Sequence, residues 1–120
     1  MEPFQVTERG PVHTRGKVWY HVSPSKNIKG ILRHGLICPK RKYEPVTTLS
    51  STLLGALEAG RTIFGETGIK TLGVFEVKPE HLVWHMGDPE YEAFCNKNIS
   101  SDNIRLVGIY WPETGKLKKL

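Results

Sequence analysis

The stretch KVWYHVSPSKNIKGILRHG, residues 17–35, determines how the fold begins. Its first part, residues 17–22, alternates in the two-residue period of a strand, with apolar side chains on one face. The pattern then becomes helical, with Ser23 as the expected N-cap, Pro24 in the first turn and Gly35 as the stop. The expected apolar stripe of this helix is Ile28, Ile31 and Leu32. The sequence therefore predicts a strand that leads directly into a helix.

The rest of the chain adds one more strand–helix pair and then strands alone. Residues 46–50 are rich in β-branched side chains and predict a strand. Residues 52–64 predict a second helix, capped by Ser50 or Ser51, with Leu53, Ala56 and Leu57 turned inward. After a turn at 65–70, further strands are predicted at residues 71–78, 81–86, 91–96 and 104–111. Early helices and late strands favour an α+β fold with a mixed or antiparallel sheet.

Length and composition limit the class of protein. The 120 residues allow one hydrophobic core, so we expect a single domain over 1–120. No run approaches the roughly 20 apolar residues of a membrane span, and the first residues lack a secretion signal, so we expect a cytoplasmic protein with no membrane partner. Cys38 and Cys95 lack CxxC spacing and the five histidines are scattered. We therefore expect reduced, mostly buried thiols and no metal.

The positive charge is unevenly distributed. The net charge is +5, and the segment 10–43 contains eight Lys or Arg and no acid. The C-terminal KLKKL adds three more lysines. Such a distribution attracts polyanions and phosphate-bearing ligands, although a solubilising surface explains it equally well.

Three stretches contain residue types that are common in catalytic and ligand-binding sites, and they come in a recognisable order. They are WYHVSPSKNIKGILRHGL (19–36), VTTLSST (46–52) and EYEAFCNKNISSDNIRLV (90–107). The first resembles the Tyr-His-x-Ser/Thr strand and following helix of ADP-ribosyltransferase-fold proteins. The second resembles that family's strand ending in small hydroxyl residues, and the third its glutamate at the start of a strand. Together the three motifs span most of the chain, in the family's order.

The resemblance is nearest to the branch with the DNA-targeting ADP-ribosyltransferases of toxin–antitoxin systems. In that branch a glutamate stands seven residues before a Val/Ile-Pro; here Glu92 stands seven before Ile99, and Ser100 replaces the proline. The pair Glu90-x-Glu92 is also similar to the Glu-x-Glu of arginine-directed transferases, in which the first strand carries an arginine in place of His21. The family implies a split β core of six to seven strands with two early helices, and NAD as a substrate.

The resemblance also implies a set of site residues. Glu92 and Glu90 are the implied catalytic residues: the first stabilises the ribosyl cation formed as nicotinamide leaves, and the second serves the acceptor. The implied NAD-binding residues are Tyr20, His21, Ser23, Tyr43, Ser50 and Ser51. The implied partners are NAD and a macromolecular acceptor, either protein or nucleic acid.

Other interpretations stay open at this point. An NAD-dependent RNA 2′-phosphotransferase shares the fold, and a non-catalytic basic binding module would preserve nearly the same pattern. Residue by residue, His21 is also explained as a core or surface histidine, Ser50 and Ser51 as helix caps, and Glu90 as a solvated acid.

Overall fold

The computed structural model of the chain describes residues 6–7, 18–38, 47–79, 84–85, 92–95 and 97–120. In chain order they form β1 (Val6–Thr7), β2 (Trp19–Pro24), α1 (Ile28–His34), β3 (Thr47–Ser50), α2 (Leu53–Phe64), β4 (Leu72–Val77), β5 (Trp84–His85), β6 (Glu92–Cys95), β7 (Ile104–Trp111) and β8 (Lys116–Lys119). Short 3₁₀ turns occupy Ser25–Asn27 and Ser101–Asn103. The predicted α+β class is confirmed.

The strands form one large antiparallel sheet and one small one. The large sheet has six strands in the order β6-β3-β2-β4-β7-β8, and β1 pairs with β5. Every pairing among the described strands is antiparallel. Because β2 lies in the middle of the large sheet, the strand of the first sequence motif is flanked by β3 and β4.

The large sheet is narrowly joined between β2 and β3. Along β2 and β4 six residue pairs are in register, and along β3 and β6 four are. Between β2 and β3, both fully described, the one registered pair is Tyr20 with Ser50. The sheet therefore consists of a two-stranded part, β6-β3, and a four-stranded part, β2-β4-β7-β8, that meet at this pair.

Each face of the large sheet is covered by one helix. Helix α1 packs on the face that carries Trp19 and Phe75, both fully buried. Helix α2 packs on the other face, against Val74 and Tyr110. The inward residues of α2 are as predicted: Ala56 is buried, and Leu53 and Leu57 are partly buried against this second cluster. Two modest cores thus hold the sheet from both sides.

The start of α1 differs from the prediction. Strand β2 continues through Pro24, which is in register with Leu72, and the α-helix begins only at Ile28. Ser23 is therefore a buried strand residue, and its predicted N-cap role is wrong. A proline is tolerated here because β3 does not pair with β2 at this position, so the missing N–H costs no ladder hydrogen bond. Leu32, expected inward, is 43% exposed.

The end of α1 is as predicted, and it depends on a glycine. Gly35 has φ +83° and ψ −173°, a conformation that is essentially restricted to glycine. A Cβ at this position would collide with the carbonyl oxygen of Ile99. That oxygen accepts a hydrogen bond from the Leu36 amide at 3.0 Å, so the turn fixes the chain after α1 against the segment that follows β6.

Two further differences concern α2 and the C-terminus. The cap of α2 is Thr52, whose hydroxyl accepts from the Gly55 amide at 3.0 Å, so the predicted caps Ser50 and Ser51 are wrong. The C-terminal lysine-rich segment, interpreted from sequence only as charge, forms the edge strand β8 against β7. Of the segment predicted as a strand at 81–86, only residues 84–85 are described, and they form β5.

Candidate active site

Strand order brings parts of all three sequence motifs together. Tyr20 of β2 is in register with Ser50 of β3, and Ser50 is in register with Glu92 of β6. These three residues therefore form a backbone row across adjacent strands, although they are dozens of residues apart in the chain. Neighbouring strands lie about 4.8 Å apart, so the row is about 10 Å long.

His21 spans the gap where β2 and β3 separate. Its Nδ1 lies 2.9 Å from the carbonyl oxygen of Thr48. A carbonyl can only accept, so Nδ1 carries the proton and donates. In the neutral ring this leaves Nε2 with a lone pair, able to accept a hydrogen bond from a hydroxyl. The backbone of β3 therefore selects one tautomer of His21.

The environment favours the neutral form of this imidazole. Loss of solvation on burial lowers the pKa of His21 below its ordinary 6.5, and the bond to the Thr48 carbonyl offsets part of that effect. At neutral pH the ring is therefore an uncharged group with one committed donor and one open acceptor.

Ser23 lies two residues beyond His21 on the same strand and hence on the same face. It is 8% exposed, and its hydroxyl accepts a hydrogen bond from Nδ2 of Asn27 at 3.0 Å. A hydroxyl that accepts from an amide keeps its own proton for another partner. Sequence reasoning missed Asn27; its position four residues after Ser23, across the 3₁₀ turn, is the only signal that could have suggested it.

The predicted NAD-binding residues are divided between the two faces of the sheet. His21 is in register with Phe75 of the α1-side core, so strand alternation places His21 and Ser23 on the α1 face. Tyr20 and Ser50 lie on the α2 face, where a Cβ added at Gly55 would lie 3.6 Å from Cβ of Ser50. Ser51 is partly exposed in the bend that follows.

Only some of the remaining predicted residues fall within the described part of the chain. Glu92 begins β6, as predicted for the family's glutamate-bearing strand. Glu90 and Tyr43 lie outside the described residues. For them the sequence predictions stay predictions.

A second acid lies in the same row. Glu76 of β4 is in register with Tyr20, and its carboxylate accepts from Nε of Arg105 at 2.8 Å. The two residues of this ion pair are themselves in register on β4 and β7. Sequence reasoning missed Glu76. Its fixed partner indicates a structural role, since cross-strand pairs of opposite charge stabilise sheets modestly.

Metal-binding and membrane-spanning features are absent from the part of the chain that the structure describes. In those ranges, no three His, Cys, Asp or Glu side chains are arranged to hold a metal ion. None of the helices among the described residues has the length and apolar content that crossing a bilayer requires. No protein-family model matches the sequence, and no curated protein is significantly similar to it.

Proposed function

We propose that this protein is a cytoplasmic, NAD-dependent ADP-ribosyltransferase that acts on a macromolecular acceptor, either protein or nucleic acid. The observation that carries the proposal is the narrow junction of β2 and β3, spanned by the imidazole of His21. It supports an ADP-ribosyltransferase-like split core, in which NAD lies where the two parts of the sheet separate.

His21 and Ser23 offer complementary hydrogen-bonding groups to such a ligand. The Nε2 of neutral His21 accepts, and the Ser23 hydroxyl has a proton to donate. A ribose hydroxyl donates to the first, and a ribose or amide oxygen of NAD accepts from the second. Because both side chains are tied to Thr48 and Asn27 before ligand arrives, little rotamer entropy is lost on binding.

Glu92 stands at the start of β6, two strands from β2, in the register row whose other members, Tyr20 and Ser50, lie on the α2 face. His21 and Ser23 lie on the α1 face, so the proposal requires NAD to enter the gap between β2 and β3 and to reach both faces of the sheet. In the proposed reaction the bond between nicotinamide and ribose breaks, and positive charge develops on the ribose. A carboxylate that accepts a hydrogen bond from the ribose 2′-hydroxyl orients the ring and stabilises that charge. The acceptor then attacks the anomeric carbon and transfers its proton to a base, a role we assign to Glu90.

Incubation with NAD labelled in its adenylate moiety, together with a panel of proteins and nucleic acids, tests the proposal. We expect label to be retained covalently on one acceptor class, with nicotinamide released in equal amount. NAD consumption that depends on a 2′-phosphorylated RNA but leaves no label on it would replace the proposal with the RNA 2′-phosphotransferase. No NAD turnover across the panel would contradict both enzymatic functions and favour the non-catalytic binding module.

A further inference from the structure

The lysine-rich C-terminus is organised by the sheet. As strand β8 it runs antiparallel to β7 at one edge of the large sheet, and residues 116, 118 and 119 are exposed lysines. Lys116 is in register with Trp111, and Lys118 with Ile109. Because alternate residues of a strand share a face, Lys116 and Lys118 project from the same side.

An aromatic ring lies among these lysines. The ammonium group of Lys116 is 5.9 Å from the centroid of the Trp111 ring. This distance is near the outer limit of a cation–π contact, so the ring holds the lysine weakly and the ammonium group can turn to an anion. Trp111 itself is partly exposed. The edge of the sheet thus presents a flat aromatic surface flanked by cations.

The 3₁₀ turn Ser25–Asn27 and the first turn of α1 add one lysine each on the same side. Ile28 packs over Gly73, where an added Cβ would lie 2.7 Å from the Ile28 side chain, and Gly73 is in register with Ile109. Ile109 in turn is in register with Lys118, so Gly73 and Lys118 are two strands, or about 10 Å, apart. Lys26 and Lys29 flank Ile28 and are exposed. Four lysines therefore lie on the α1 side of the sheet, towards the end at which β7 reaches Trp111.

Described acids are scarce on this side. Glu113 lies in the turn between β7 and β8, and Glu66 follows Gly65, where an added Cβ would lie 4.0 Å from the carbonyl oxygen of Pro112. The other described acids lie elsewhere: Glu58 in α2, on the opposite face; Glu76 bound to Arg105; Glu92 at the start of β6; and Asp102 beyond the far end of β7. Four cations against two described acids create a local positive potential.

We propose that this surface, formed by Lys26, Lys29, Trp111, Lys116 and Lys118, binds single-stranded nucleic acid. The lysines meet consecutive phosphates, and the Trp111 ring stacks on a base, a combination that tolerates any sequence. An acidic peptide would use the charges but not the ring. Since none of the proposed NAD-binding or catalytic residues is part of the surface, the inference is independent of the proposed NAD chemistry.

Fluorescence anisotropy with labelled oligothymidylate and oligouridylate, measured across a series of salt concentrations without NAD, tests this inference. Four lysine–phosphate contacts predict a slope of log affinity against log salt of about −2.8, at about −0.7 per contact. Lys116→Ala/Lys118→Ala should halve the slope to about −1.4. The matched control Lys78→Ala/Lys97→Ala removes two exposed lysines elsewhere and should leave the slope unchanged.

A second variant separates stacking from charge. Trp111→Leu keeps an apolar side chain but removes the ring, and should weaken binding about tenfold without changing the salt slope. The melting temperature of Trp111→Leu is measured in parallel. If this variant does not fold, the lysine variants alone test the inference.

Three results would overturn the inference. The first is no binding at low salt. The second is an equal loss in the control pair and the β8 pair. The third is binding of polyglutamate or of vesicles containing phosphatidylserine as strongly as of oligonucleotides.

Discussion

The hydrogen bond from His21 to the Thr48 carbonyl makes separate predictions for stability and for ligand binding. His21→Ala removes the donor and leaves the carbonyl without its partner. The net value of such a bond is about 0.5–1.5 kcal/mol, and an orphaned buried acceptor adds more. Because Thr48 is exposed, water can reach its carbonyl. We therefore expect a loss of about 1–2 kcal/mol, or a fall in melting temperature of about 4–8 °C.

His21→Asn separates the two roles. The amide nitrogen of asparagine is as many bonds from the backbone as Nδ1, so it can donate to Thr48 as the histidine does. It provides nothing in the position of Nε2. Melting temperature should therefore stay within about 2 °C of wild type. Affinity for NAD should fall as far as in His21→Ala, by about 1–3 kcal/mol or roughly 5- to 150-fold.

Differential scanning calorimetry and isothermal titration calorimetry on wild type and both variants give the two quantities. Wild-type NAD affinity in His21→Asn would refute the role of Nε2. An unchanged melting temperature in His21→Ala would show that the bond to Thr48 contributes nothing to folding.

Three further predictions follow from single groups. The pKa of His21 is lowered in the folded state. As pH falls, the unfolded chain therefore takes up a proton at this residue at a higher pH than the folded protein does. Urea denaturation should show stability falling as pH drops from about 7 to 5, and less steeply in His21→Asn; equal slopes would contradict this. Burial raises the pKa of Cys95, whereas Cys38 is partly exposed. A thiol reagent should modify Cys38 first, and preferential reaction of Cys95 would refute the burial described. Gly35→Ala should cost more than about 2 kcal/mol, whereas Gly30→Ala, in open helical space, should stabilise by about 0.5–1 kcal/mol; thermal denaturation giving equal effects would refute the turn geometry.

The sequence predicted helices and strands correctly where the side-chain pattern agrees with the packing. Strands β4 and β7 carry β-branched and aromatic residues that are buried in the sheet, and α2 has an inward stripe at helical spacing. The pattern failed at Pro24, because a proline fits a strand position that has no partner on one side as well as the first turn of a helix. It failed at β8 because lysines carry no strand signal, and pairing with β7 supplies what propensity does not.

For the candidate site, the sequence predicts residue types but not their relative positions. That Tyr20, Ser50 and Glu92 share a row depends on strand order, a tertiary property. That His21 is held by Thr48 could not be predicted, because the acceptor is a backbone carbonyl and leaves no trace in residue identity. The division of the predicted NAD-binding residues between two faces follows from strand alternation, once Tyr20 and His21 are both assigned to β2.

The role of Glu92 is the most direct test of the proposed activity. Glu92→Gln keeps the shape of the side chain and removes its charge; Glu58→Gln, on the exposed side of α2, is the matched control. The measurement is turnover of labelled NAD, alongside NAD affinity by calorimetry. We expect turnover to fall by about 10²–10³ while affinity stays within a few-fold, because the carboxylate acts in the transition state. Turnover equal to that of wild type and Glu58→Gln would contradict the proposed catalysis.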